Sequence, residues 1–456
     1  MVFSSLTFLC IFLPVFLAVY YTLPGKWRNI TLVVFSLIFY AFGEPVWIIA
    51  LLFSAFSGYL LGRITETHSG KWQAKAALIA SLVSNLGMLC VFKYLGFFVE
   101  NINTLIGSSL AVPKVSLPLG ISFYTFQTLS YTIDMYRGKV RCRRSPTAFL
   151  AYVSMFPQLV AGPIVRYADI ENDLFSRRPG LADFSAGITR FSVGLAKKVL
   201  FANAAGRAVD TLFFGNIKFT VLGSWLGILF FTFQIYFDFS GYSDMAIGLG
   251  RMIGFRFKEN FNYPYIARTI TDFWRRWHIS LSSFFRDYVY IPLGGNRKRQ
   301  ILNLLIVWFL TGLWHGASWN FIVWGMYYAA LLIIEKLFIS RIKGRAGALC
   351  RVYTIPAVVV GWALFYFTDM TNLLAWFKAA FGGAPLYDFR AQSVFFSNIF
   401  LLAVMILAST PLPARLAERA IKRLPALEPI GNAALVIASF IMVVGQTYSP
   451  FLYFKF

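Results

Sequence analysis

The run ILNLLIVWFLTGLWHGASWNFIVWGMYYAALLII, from Ile301 to Ile334, contains no Asp, Glu, Lys or Arg. One histidine, His315, lies near its middle. A membrane span needs about 20 mostly apolar residues, so the stretch reads as a segment solvated by lipid or buried within a membrane protein. The remaining chain repeats the pattern. Apolar segments lie at Leu6–Leu23, Ile30–Phe42, Val46–Leu61, Ala76–Phe98, Leu117–Tyr136, Ala148–Val165 and Val221–Met252. Three more follow at Val352–Phe367, Val394–Thr410 and Ala433–Thr447. Charged residues are 13% of the 456, where a soluble domain carries about a quarter. Mean hydropathy is +0.65. Aromatic residues reach 18%, with 49 Phe, which suits lipid-facing surfaces and interfacial belts. The expectation is an all-α polytopic integral membrane protein. Its length has room for about 10 to 12 spans or half-spans, with interfacial and re-entrant helices between them. No internal repeat or linker marks a boundary, so residues 1–456 read as a single membrane domain whose most distinctive block is 117–334.

The net charge of +23 gathers in short loops between apolar segments. Arg137, Lys139, Arg141, Arg143 and Arg144 form one such loop. Others lie around Arg341–Arg351 and Arg415–Arg423. Dense basic loops are the mark of the cytoplasmic side, and no soluble basic domain exists to bind nucleic acid. Cys10, Cys90, Cys142 and Cys350 have no metal-ligand spacing, and a disulfide framework is not expected. The stretch before Lys26 reads as a retained first span with its N-terminus outside.

Three histidines limit the chemistry: His68, His278 and His315. His68, in the polar loop THSGKW, reads as solvated. His315 stands in the uncharged run, and an ionisable group inside a membrane segment is by default a functional candidate. Imidazole titrates near neutrality and accepts a proton from a hydroxyl without a large shift. Gly312 and Gly316 permit close approach of backbone or substrate. Trp314 and Trp319 are candidate walls of a dry pocket, and Asn320 is a candidate supporting residue. His278 lies in TDFWRRWHISLSSFFRDY, read as an amphipathic interfacial helix whose polar surface includes Asp272, Arg275, Arg276 and Arg286. Asp238 and Asp244, in FQIYFDFSGYSDMAIGLG, are carboxylates in apolar surroundings and need partners. Those partners are an imidazole, an arginine of the following stretch, or a cation. No GxSxG, Walker or HExxH pattern occurs.

These residues also carry a resemblance. PLGISFYTFQTLSY from Pro118, FPQLVAGPIVRY from Phe156 and QIYFDFSGYSDMAIGLGRMIGF from Gln234 are similar to blocks of the membrane-bound O-acyltransferases. So are NFNYPYIARTITDFWRRWHISLSSFFRDYVYIPLGGNR from Asn260, LTGLWHGASWNFIVWG from Leu310, MVFSS at Met1 and the ending SPFLYFKF. The resemblance is to the bacterial branch that serves alginate O-acetylation. It implies a ring or funnel of helices with His315 as the catalytic histidine in a tunnel and His278 as the second family histidine. It implies no bound cofactor; the co-substrate is a cytoplasmic thioester, acetyl-coenzyme A or an acyl carrier protein. It further implies an extracytoplasmic polysaccharide acceptor, an SGNH-type acetyltransferase partner and a place in the bacterial cytoplasmic (inner) membrane. Peptidoglycan or cellulose O-acetylation and teichoic acid D-alanylation use the same chemistry. The competing class is a proton-coupled secondary transporter with Asp238, Asp244 and His315 as a relay. A silent scaffold would not need His315.

Overall fold

The computed structural model describes residues 1–113, 115–142, 145–215, 218–338, 350–445 and 451–452. Arg143 and Arg144, residues 341–349 of the basic loop before Arg351, and most of the SPFLYFKF ending lie outside the described residues. Among the described residues the regular elements are all helical. This follows from the solvent: hydrocarbon offers no hydrogen bonds, so each segment must satisfy its backbone internally. Among the described residues six helices are long and apolar enough to cross a membrane: Ile48–Thr67, Trp72–Ile106, Val221–Met252, Trp319–Leu337, Phe389–Ala408 and Leu427–Val444. Phe8–Thr22, Gln300–His315 and Arg351–Tyr366 are shorter apolar helices. The protein is a multi-pass α-helical membrane protein. Four of its helix starts carry a local cap. Ser145, Thr269, Asp369 and Asp388 each accept a backbone N–H of the first turn, as capping side chains do.

The chain divides into two compact units, Met1–Phe191 with Asp244–Lys258, and Ser192–Ser243 with Glu259–Phe456. The first unit is knit by small and hydroxylated residues on facing helices. Ser54 Oγ donates to Asn85 Oδ1 at 2.7 Å and lies 3.1 Å from Thr128 Oγ1; Ser81 and Thr132 meet at 3.0 Å. A Cβ on Gly58 would fall 2.3 Å from Thr128. Lipid tails are as apolar as leucine, so such close approach and interhelical hydrogen bonds supply the association. In the same unit Arg177 is buried. Its Nε donates to Tyr20 Oη at 2.8 Å and its guanidinium stacks on Phe255 at 4.5 Å.

The second unit holds both candidate histidines. Its frame consists of α1 (Val221–Met252, through Ser243), α2 (Ile270–Arg276), α3 (Ile279–Phe285), α4 (Gln300–His315), α5 (Trp319–Leu337) and α6 (Arg351–Tyr366). The uncharged run folds into the hairpin α4–α5. A Cβ at Gly312 would lie 2.3 Å from Phe321 O, and one at Gly325 would lie 2.3 Å from Trp308 O. The hairpin closes only because those positions lack side chains. Gly316 is filled the same way, by the Phe321 ring at 2.2 Å from its would-be Cβ. The glycines around His315 therefore admit the chain's own residues.

The segment read as one amphipathic helix is instead broken. α2 ends at Arg276, α3 starts at Ile279, and a π-helical turn follows over Arg286–Tyr290. At the break His278 adopts φ 44°, ψ 54°, the left-handed region, which non-glycine residues enter uncommonly, His more readily than most. Long-range contacts impose the break. The chain entering from Glu259 pairs with it: Asn262 N donates to Arg276 O and Ile279 N to Asn260 O, each at 2.9 Å. Glu335, buried near the end of α5, accepts from the N–H groups of Ile270 and Thr271, from Thr271 Oγ1 and from Tyr353 Oη. One carboxylate thereby ties the start of α2 to α5 and α6.

Candidate active site

His315 is the last residue of α4, and Gly316 turns the chain to extended geometry there. The helix carries the imidazole to its end, inside a cage of rings. Trp324 and Phe365 meet it edge-to-face with centroids at 5.0 and 5.3 Å, and Trp314 lies at 5.0 Å. The residue is buried, 7% exposed. His315 lines two cavities. One is large, about 710 Å³, and also takes in His278, Arg275, Arg286, Lys336 and Thr311. The other is small and apolar, about 30 Å³, with Trp277, Trp324, Trp362, Phe365 and Phe451 among its walls. A single ordered water needs about 10–15 Å³ by this measure, so the small chamber admits a group of only a few atoms.

His278 is buried, 1% exposed, rather than standing on a hydrated surface as the amphipathic reading implied. Phe239 of α1 packs edge-on against it at 4.7 Å. Trp314 stands between the two histidines, 6.2 Å from the His278 ring and 5.0 Å from that of His315. Nδ1 of His278 lies 3.1 Å from Asn260 Oδ1 and 3.4 Å from Ser280 Oγ. Nε2 is buried without a hydrogen-bond partner among the described residues. His278 belongs to none of the candidate spans, and burial pushes its imidazole well below the usual histidine range, so it is held neutral.

The remaining sequence candidates separate. Asp238 lines the small chamber. Its carboxylate takes Lys198 Nζ at 2.5 Å and the backbone N–H of Leu452 at 2.6 Å. The partner is thus a lysine ahead of it, not an arginine of the following stretch. Asp244 belongs to the first unit and lines neither chamber; Nε and Nη2 of Arg190 reach one of its oxygens at 2.8 and 2.6 Å. Arg275 lines the large cavity, while Arg276 turns to Asp272 at 2.8 Å. Asn320 lines neither chamber. Its Nδ2 donates to the carbonyls of Leu364 and Phe365, each at 3.2 Å, and so fixes the ring that faces His315. Trp319 is 54% exposed and walls no part of these two chambers. His68 sits at a helix end with its Nδ1 near Thr67 and Ile64. Among the described residues no three His, Cys, Asp or Glu side chains gather as a metal site. Asn260 and Glu335 escaped the sequence reading. The available signals were an amide within the aromatic NFNYPY and a single acid closing the uncharged run.

His315 thus stands between a larger cavity that takes in Arg275, Arg286 and Lys336 and a small, mostly apolar chamber. A profile of MBOAT, the membrane-bound O-acyltransferase family, matches residues 140–377. The probable alginate O-acetylase AlgI of Azotobacter vinelandii is 39% identical over the whole of both chains. The chain belongs to the membrane-bound O-acyltransferase family. The peptidoglycan O-acetyltransferase of Helicobacter pylori is 33% identical over 87% of this chain and 83% of that one. The teichoic acid D-alanyltransferase of Bacillus subtilis is 30% identical over 48% and 59%. The protein is an acyltransferase. The chemistry of a membrane-bound O-acyltransferase requires a group to take the hydroxyl proton, positioning of the acyl carbon, and exclusion of water. The α4–α5 hairpin places the His315 imidazole among the Trp314, Trp324 and Phe365 rings, on the wall of both cavities.

Proposed function

We propose that this acyltransferase moves an acetyl group from a cytoplasmic thioester to hydroxyls of an extracytoplasmic polysaccharide of the alginate type, working in the bacterial cytoplasmic (inner) membrane. The observation that carries this reading is the position of His315 on both chambers. In the mechanism, His315 takes the proton of the attacking hydroxyl as its oxygen bonds the thioester carbonyl carbon. The tetrahedral adduct then collapses, the carbon–sulfur bond breaks, and the imidazolium returns the proton to the departing thiolate. His278, Trp314 and Asp238 support the site, and Asn320 does so through Phe365. Arg275, Arg286 and Lys336 suit the phosphates of acetyl-coenzyme A or of a carrier protein's prosthetic arm. The small apolar chamber suits a two-carbon acyl group. An SGNH-type partner outside the membrane completes delivery to the polysaccharide. The basic loops at Arg137–Arg144 and Arg297–Arg299 face the cytoplasm, the side of donor entry.

The test is polysaccharide acetylation in cells that depend on this chain, with wild-type and His315→Ala protein at matched levels. Loss of acetyl ester with the variant is expected. Undiminished acetylation overturns the assignment. The Helicobacter pylori relative makes peptidoglycan the second acceptor to assay.

A further inference from the structure

The geometry assigns to Asn260 the role of a positioning residue that holds His278 as the Nδ1–H tautomer, leaving the lone pair on Nε2 for a hydrogen-bond donor of the substrate. The inference rests on the acyl-transfer reading only for the identity of that substrate.

The assignment follows from what Asn260 Oδ1 receives. The backbone N–H of Ser280 lies 3.2 Å from that atom, and Ser280 Oγ donates to it at 2.8 Å. A backbone N–H is a donor and nothing else, so the atom facing Ser280 is the amide oxygen. The opposite end of the amide agrees: Asn260 Nδ2 donates to Ser243 Oγ at 3.1 Å. An oxygen cannot donate, so the contact with His278 at 3.1 Å requires the proton on Nδ1. A neutral imidazole has one N–H; Nε2 is then the acceptor. That nitrogen is buried and lacks a hydrogen-bond partner among the described residues, and His278 walls the 710 Å³ cavity that it shares with His315.

The same asparagine fixes the backbone. Its carbonyl accepts from Ile279 N at 2.9 Å, so one residue grips 278, 279 and 280 together. Such over-determination is what sustains a left-handed non-glycine residue. The other groups facing His278 do not compete for Nδ1. α1 presents Phe239, and Asp238 beside it is engaged by Lys198 and Leu452. α4 presents Trp314. The shared cavity brings Arg275, Arg286 and Lys336 as cations, His315, and Glu335, whose carboxylate is taken by Ile270, Thr271 and Tyr353.

The experiment has two arms on full-length protein in nanodiscs. With only three histidines in the chain, ¹⁵N-histidine NMR, assigned by comparison with His278→Gln, reads the tautomer directly. Wild type is expected as Nδ1–H, and Asn260→Ala as a mixture. The second arm follows coenzyme A release from acetyl-coenzyme A, with an alginate oligosaccharide as the hydroxyl acceptor, across pH. Asn260→Ala should lose roughly tenfold or more in kcat, as when the partner fixing a functional histidine is removed. Asn260→Asp keeps the acceptor but places a carboxylate against Nδ1–H. The carboxylate favours the imidazolium, so the proton is retained to higher pH and the acid limb of the rate should move up by about one pH unit or more. Above that limb Asn260→Asp should recover activity that Asn260→Ala does not. An Nε2–H wild-type tautomer, a fully active Asn260→Ala, or an Asn260→Asp profile superimposable on wild type each overturns the inference. If wild type shows the Nδ1–H tautomer but releases no coenzyme A, the acetyl-donor reading falls and the tautomer assignment stands.

Discussion

The two histidines of this enzyme are held by opposite means. His315 ends a helix whose sequence is continuous, uncharged and closed on its neighbour by Gly312 and Gly325. His278 sits where a helix should have continued and does not, bent to φ 44° by Asn260 and flanked by a short helix that Glu335 anchors from far along the chain. The first placement is local and follows from hairpin packing. The second is assembled from distant stretches of sequence. An imidazole at the end of a regular helix is set by few contacts, whereas one in a broken segment with a left-handed backbone depends on many.

The sharpest way to break this contrast is to delete each imidazole. His315→Ala should lower acyl transfer by about 10²- to 10⁴-fold through loss of proton transfer, with the protein still inserting and purifying. His278→Ala should retain more activity than His315→Ala, because the proposed mechanism routes the proton through His315 alone. Turnover of a thioester donor by the purified variants decides the order. A dead His278→Ala of unchanged stability beside an active His315→Ala would reverse the roles.

Two ion pairs, one in each unit, give the next effect. Lys198 and Asp238 are 6% and 2% exposed, whereas Arg190 is 35% exposed beside Asp244. Removing one partner of a fully buried pair costs about 3–5 kcal/mol. Asp238→Ala should therefore lower the detergent melting temperature strongly. Asp244→Ala should lower it less, since water reaches Arg190. Equal losses would show that burial does not set the difference.

A smaller effect tests the local half of the contrast. Gly325→Ala introduces a Cβ 2.3 Å from Trp308 O, and overpacking of this kind costs about 1–3 kcal/mol. Melting temperature and activity should fall together, because the hairpin carries His315. A Gly325→Ala protein as stable and active as wild type would mean that α4 and α5 separate without consequence. The smallest expected change is one of selectivity. Trp362→Ala enlarges the 30 Å³ chamber and should raise the rate with a butyryl donor relative to acetyl. The gain should be about 10-fold, as for a few methylenes in an apolar pocket. Competition between the two thioesters measures it, and an unchanged ratio removes the chamber from acyl recognition.

Much was legible in the linear chain. Apolar runs of span length fix an α-helical membrane protein, because hydrocarbon leaves backbone groups no other partner. An imidazole in an uncharged run marks a site for the same reason: placing it there is costly. The need of Asp238 and Asp244 for partners was equally plain, but the identity of those partners was not. Lys198 carries no local signal of burial, yet it is buried against Asp238. Periodicity could not reveal that TDFWRRWHISLSSFFRDY breaks at His278, since the residues on either side are compatible with helix. The break comes from Asn260 and Glu335, which are 18 and 57 residues away and carry no local pattern. Sequence alone determined the solvent, the all-helical class and the residue types available for chemistry, because each depends on side-chain polarity along the chain. Only the tertiary structure decided which cation meets which carboxylate, where the helix stops and which nitrogen of His278 is left to accept, because those depend on contacts between distant segments.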